Sequence, residues 1–163
     1  DKGYVENYVN LINSPSCVVA EAIATAALET VFSDQELEEW FRSELLPRAG
    51  LAHLDASRIM PYFTAYEKIS GLTGNAAFML HDHKKSEGEI IAYLRKYGLQ
   101  SEREAKQGIK FISNPLYRSY TFTYHIGYDI LKDLFAKKDR DTYFGRLLLK
   151  PVTPRQIQEW IND

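Results

Sequence analysis

The chain has 163 residues, 45% of them apolar and 26% charged, with 20 Lys plus Arg against 22 Asp plus Glu. That length suffices for one compact domain with its own core. The balanced charge lacks a basic block able to neutralise several phosphates, and no apolar run is long enough to span a bilayer, so neither nucleic acid nor a membrane is an expected partner.

In chain order, Asp1-Lys2-Gly3-Tyr4 begins without methionine and shows no signal-peptide core. The expectation is a single helical domain, 1–163, forming the C-terminal part of a longer protein with a missing N-terminal domain. Ser14-Pro15 reads as an N-cap followed by proline at the first helical position, opening a helix from Ser16 to Phe32. Cys17, in its first turn, is the only cysteine. An internal disulfide and a cysteine zinc cluster are thereby excluded, and a reducing, cytoplasmic compartment is expected.

Ser33-Asp34-Gln35-Glu36, Ser86-Glu87-Gly88-Glu89 and Ser101-Glu102-Arg103-Glu104 have the capping-box spacing, in which Ser and the Glu three residues later satisfy donors reciprocally. Helical periodicity marks Ser57 to Ile69, Asn75 to about Lys84 and Pro115 to Lys138. Gly71-Leu-Thr-Gly74 reads as a helix terminator. Thr153-Pro154 opens a last helix through Trp160. Leu147-Leu148-Leu149 and Val18-Val19 are too short to argue for strands, and no Asn-Gly or Asp-Gly turn joins alternating runs. The fold class is therefore all-α, an irregular antiparallel multi-helix array of about eight to ten helices.

Two segments carry the candidate chemistry. In Asn114 to Asp129, an unbroken helix puts Tyr117, Tyr120, Tyr124 and Tyr128 on one stripe and Arg118, His125 and Asp129 beside it. Ile126, Ile130 and Leu134 then cover the opposite side. On that pattern Arg118 and Asp129 are buried unless a cleft reaches them, and Ile126→Ala costs about 2–4 kcal/mol. The tyrosines are either core residues with satisfied hydroxyls or a cleft wall. In the second case the phenols donate to a carbonyl or oxyanion, Arg118 clamps an anion and His125 moves a proton.

In Cys17-Val-Val-Ala-Glu-Ala-Ile-Ala-Thr-Ala-Ala-Leu28, Glu21 is a carboxylate in an Ala-rich run, costly to desolvate unless it binds a metal or accepts hydrogen bonds. With Thr25 and Glu29 on the same face, it is alternatively part of a narrow polar edge. His81-Asp82-His83 reads as a solvated helix end, since residues two apart on a helix point apart. No His-Glu-x-x-His, Gly-x-Ser-x-Gly or phosphate loop occurs.

Ser14-Pro-Ser-Cys-Val-Val-Ala-Glu-Ala-Ile-Ala24 resembles the segment downstream of His-Glu-x-x-His in gluzincin-type zinc metallopeptidases. Leu116-Tyr-Arg-Ser-Tyr-Thr-Phe-Thr-Tyr-His-Ile-Gly127 is similar to the C-terminal tyrosine helix of their helical members, the angiotensin-converting-enzyme-like and carboxypeptidase Taq-like families. The resemblance implies Glu21 as a zinc ligand and Tyr117, Tyr120, Tyr124 and His125 as catalytic groups polarising the scissile carbonyl. Arg118 is a substrate-carboxylate contact on chemical grounds, and the substrate is a peptide or small carboxylate. Without His-Glu-x-x-His the chain is expected to hold no catalytic zinc and to be inactive alone, zinc entering only in the full-length protein. The alternative is a noncatalytic helical binding or structural module.

Overall fold

Helix start signals dominate the local chemistry, and they are realised. The computed structural model describes residues 11–163, apart from the side chain of Met60. The reading of Asp1 to Tyr4 lies outside the described residues. Within them the structure is an all-α multi-helix array, with eight helices of nine or more residues and no strand.

Helix α1 (Pro15–Val31) is capped by the Ser14 side chain, which accepts from the Cys17 N–H. Helices α2 (Asp34–Trp40), α6 (Glu87–Gly98) and α7 (Glu102–Ser113) start in complete capping boxes on Ser33, Ser86 and Ser101. Thr153 and Gln156 make a fourth box at α10 (Pro154–Asn162). Each box satisfies donors that a first turn would otherwise leave unpaired.

After α2 the chain widens into a π-helical turn, Phe41–Leu45, before the short α3 (Leu46–Arg48). Pro47 has no N–H to give, and its ring would crowd the Ser43 carbonyl in a regular helix. The Leu46 N–H instead reaches back to the Phe41 carbonyl.

Several boundaries differ from expectation. The helix predicted for Ser57 to Ile69 is a 3-10 turn, Ala56–Arg58, followed by α4 (Ile59–Glu67). The helix expected from Asn75 is α5 (Leu72–His81), so Leu72 to Gly74 begin a helix rather than terminate one. Residues 115–120 form turns, and α8 (Thr121–Lys137) starts six residues later than predicted. The cause is Asn114, whose side-chain oxygen accepts from the Leu116 N–H and whose carbonyl accepts from Tyr117 and Arg118. This local turn competes successfully with helix propagation. Helix α9 (Arg140–Leu149), capped by Asp139, takes up the Leu147 to Leu149 run and was not anticipated.

Three apolar clusters hold the array together. The first joins α1, α8, α9 and α10 through Ala22, Ala26, Leu131, Leu134, Leu147 and Ile157. The second joins α5, α6 and α7 around Ala76, Ile90, Leu94 and Ile112, with Phe122 of α8 packed against it. The third gathers Leu37, Phe41, Leu46 and Ala56 around α2 and α3. Helix α8 thus bridges the first two clusters. Its closest approach is to α1: a Cβ added at Gly127 would lie 2.8 Å from the Val18 carbonyl oxygen and 3.0 Å from the Ala22 Cβ.

That contact sets the buried face of α8, which is Thr121, Thr123, Gly127, Leu131 and Leu134. Ile126, expected in the core, is 44% exposed. Arg118 and Asp129, expected to be buried, are also exposed. The pattern misled because small residues, not the larger Ile126, carry the tightest interhelical contact.

Candidate functional site

Glu21 lies on α1, one turn beyond Cys17, where the alanines around it permit a close helix neighbour. Its carboxylate Oε1 accepts a hydrogen bond from the Tyr120 hydroxyl at 2.5 Å, between residues 99 apart in sequence. The two segments that carry the peptidase resemblance therefore meet. Tyr120 sits in the turn before α8, and its ring packs edge-on against Tyr124 at 5.2 Å between centroids. Tyr117, in the same turn, stacks flat on Phe111 of α7 at 5.1 Å.

The hydrogen bond to Glu21, then hydrogen bonding with Tyr124, burial and the Glu21 charge hold the Tyr120 phenol well above the usual tyrosine range. It is a neutral donor at any ordinary pH. Burial, followed by the Glu21 charge, also pushes the Cys17 thiol up, against hydrogen bonds involving the Asn13 backbone and Tyr120. A raised thiol pKa opposes nucleophilic reactivity, and Cys17 is buried packing.

Beside this network lies a cleft of about 330 Å³ between α1, α2, α4 and α8. Helix α8 lines it with Tyr124, His125 and Tyr128, and α1 with Thr25, Leu28 and Glu29. Phe41 of the π-turn and Phe63 of α4 face each other at 5.8 Å between ring centroids and also line it. Tyr124 is 41% exposed. The Tyr128 phenol is raised by burial first, then by hydrogen bonding with Glu29 and by the charges of Glu29, Glu67 and Asp129. His125 packs on α5, where a Cβ added at Gly74 would meet its Cε1 at 3.0 Å.

The expected stripe is therefore divided. Tyr124, His125 and Tyr128 line the cleft, while Glu21 and Tyr120 stand beside it, linked to it through Tyr124. Tyr117 packs away on α7. Arg118 is elsewhere, in a separate surface depression of about 270 Å³ with Phe78, His81 and Phe122. His81 is not simply a solvated terminus, since its Nε2 pairs with the Ile112 carbonyl at 2.7 Å and ties α5 to α7.

Glu29, Glu67, Phe41 and Phe63 were missed as cleft residues. For Glu29 the signal was present, on one helical face with Glu21 and Thr25. The others come from α2–α4, whose packing no motif announces. A catalytic zinc takes three protein ligands. Glu21 offers one carboxylate, and among the described residues no three His, Cys, Asp or Glu side chains gather around a common point.

No family model, curated protein or solved structure matches this chain. The gluzincin resemblance rests on the two segments alone. No single helix among the described residues is long and apolar enough to cross a membrane.

Proposed function

We propose that this chain forms the carboxylate-and-tyrosine wall of a zinc peptidase cleft, whose His-Glu-x-x-His ligands and general base come from outside these residues. The observation that carries the reading is the Tyr120–Glu21 hydrogen bond. It joins the two segments that resemble the gluzincin glutamate helix and tyrosine helix, and it does so at the edge of a cleft of ligand size.

In this reading Glu21 is the carboxylate ligand, and zinc bound with the missing histidines would supply Lewis acidity. The chain's own residues bind and orient. Tyr120 keeps its proton and holds the Glu21 carboxylate in place. Tyr124, half-open to the cleft, is the phenol with access to a substrate carbonyl, and His125 beside it is a further donor. The substrate is a peptide, and the compartment is cytoplasmic. Alone, the chain is inactive.

A second reading, a noncatalytic binding module, is favoured by one fact: the Tyr120 hydroxyl already satisfies Glu21, as a purely structural network requires. The test is the protein expressed from its whole reading frame. The expected result is one bound zinc, peptide hydrolysis abolished by chelator, zinc loss in Glu21→Gln with unchanged circular dichroism, and a fall in kcat larger than the rise in KM for Tyr124→Phe. Absence of bound zinc, or full zinc and activity in Glu21→Gln, overturns it in favour of the module.

A further inference from the structure

The cleft combines two features that together define a ligand chemistry: aromatic faces and carboxylates, two of which make no direct ion pair. Phe41, Phe63, Tyr124 and Tyr128 supply the rings, Glu29 and Asp34 supply carboxylates, and no Lys or Arg is among its lining residues. Among the described residues, neither Glu29 nor Asp34 forms an ion pair with Lys or Arg. Arg140 approaches the same end of α1, but it donates to the Glu29 carbonyl oxygen, at 2.8 Å.

At the cleft edge the fold already holds an ammonium in this way. Lys132 Nζ is 2.6 Å from the Glu67 carboxylate and 5.2 Å from the centroid of the Tyr128 ring. One carboxylate and one phenol face thus make a working cation seat. Glu67 is paired directly with it and Glu29 lies within reach of its charge, but Glu29 and Asp34 make no direct ion pair, so their side of the cleft offers the same pairing of carboxylate and ring to a cation from outside. Ring quadrupoles attract a cation most strongly where water is partly excluded, and the walls of a cleft provide that.

We propose that this cleft binds the basic side chain of a peptide, a lysine ammonium or arginine guanidinium seated between the Glu29 and Asp34 carboxylates and the rings of Phe41, Phe63 and Tyr124. The volume of about 330 Å³ accommodates one such side chain with adjacent backbone. Free carboxylate ligands are disfavoured by the same charges. The inference deepens the proposed function by naming a substrate class, and it rests on that reading for the ligand being a peptide. Cation selection is measurable without catalysis.

The experiment titrates the full 163-residue chain with blocked tetrapeptides Ala-Ala-X-Ala, with X lysine, arginine, norleucine or glutamate, by heteronuclear NMR. The lysine and arginine peptides are expected to bind at least about tenfold tighter than the norleucine peptide, with shifts at Tyr124 and Tyr128. Glu29→Gln, which keeps an acceptor for Tyr128, and Asp34→Asn should each remove most of that discrimination while leaving the circular dichroism spectrum of the folded chain unchanged. Added salt should erode it for the wild type. Equal binding of lysine and norleucine peptides, no binding of either, or discrimination undiminished in both variants overturns the inference. Cleavage by the zinc-loaded full-length protein without preference for basic residues sinks the cation seat alone. Selective binding by a protein that neither holds zinc nor cleaves sinks the peptidase reading alone.

Discussion

The Tyr120 hydroxyl donates to the Glu21 carboxylate across 99 residues of sequence, fastening the turn before α8 to the middle of α1. The contact is partly buried and charge-assisted, so it contributes more than a surface hydrogen bond. It is the joint between the carboxylate helix and the tyrosine cluster.

A double-mutant cycle measures that joint. Glu21→Gln and Tyr120→Phe should each destabilise the chain, with a coupling energy of about 1–2 kcal/mol in urea unfolding. Additive effects would mean the two side chains do not depend on one another.

Alkaline titration should show two reluctant phenols. Tyr120 and Tyr128 are both raised above the ordinary tyrosine value, Tyr120 first by its hydrogen bond to Glu21 and Tyr128 first by burial. A folded-state pKa above the unfolded value means the folded chain binds more protons in that window. The stability these groups provide is complete below about pH 10 and is lost as pH rises beyond it. Absorbance at the phenolate band should show these two ionising only as the chain unfolds. Tyr120→Phe should flatten the loss of stability on the alkaline side.

At the acid end, Glu89 is the group to watch. A hydrogen bond from Lys85, then those from the Ser86 backbone and side chain, lower its pKa to about 2. Its contribution is present above the unfolded carboxyl value and is lost as pH falls toward about 2. Carboxyl NMR titration should find Glu89 the last to protonate among the capping-box glutamates, and Ser86→Ala should move it back toward the usual range.

Gly127→Ala should destabilise by about 1–3 kcal/mol despite alanine's better helix propensity, because the new methyl meets the Val18 carbonyl and Ala22. Gly145→Ala is the control. In the middle of α9 a Cβ there meets nothing within 4 Å beyond its own stretch of helix, so about 0.5–1 kcal/mol of stabilisation is expected from helix propensity alone. Thermal melts of the two variants shifting in the same direction would refute the close-packing account.

Leu131→Ala, at 0% exposure, should cost about 2–5 kcal/mol, whereas Ile126→Ala, at 44%, should cost under about 1 kcal/mol. Denaturant midpoints decide this, and the reverse ranking would restore the face assigned to α8 from periodicity.

By itself the sequence determined where five of the helices start. Ser14, Ser33, Ser86, Ser101 and Thr153 each satisfy N–H groups within three residues, so the information is local and survives without tertiary context. It also singled out Glu21 as a carboxylate in need of a partner and Tyr120 as one of four tyrosines on a stripe. Tertiary structure alone decided which face of α8 is buried, because that choice lies with the approach of Gly127 to α1, which apolar periodicity does not register. It also decided that Glu21 and Tyr120 would satisfy one another, and that Phe41, Phe63 and Glu67 would close a cleft against Tyr124 and Tyr128. Those groups come from helices far apart in the chain, and a side chain's local pattern carries no record of the distant surface that desolvates it.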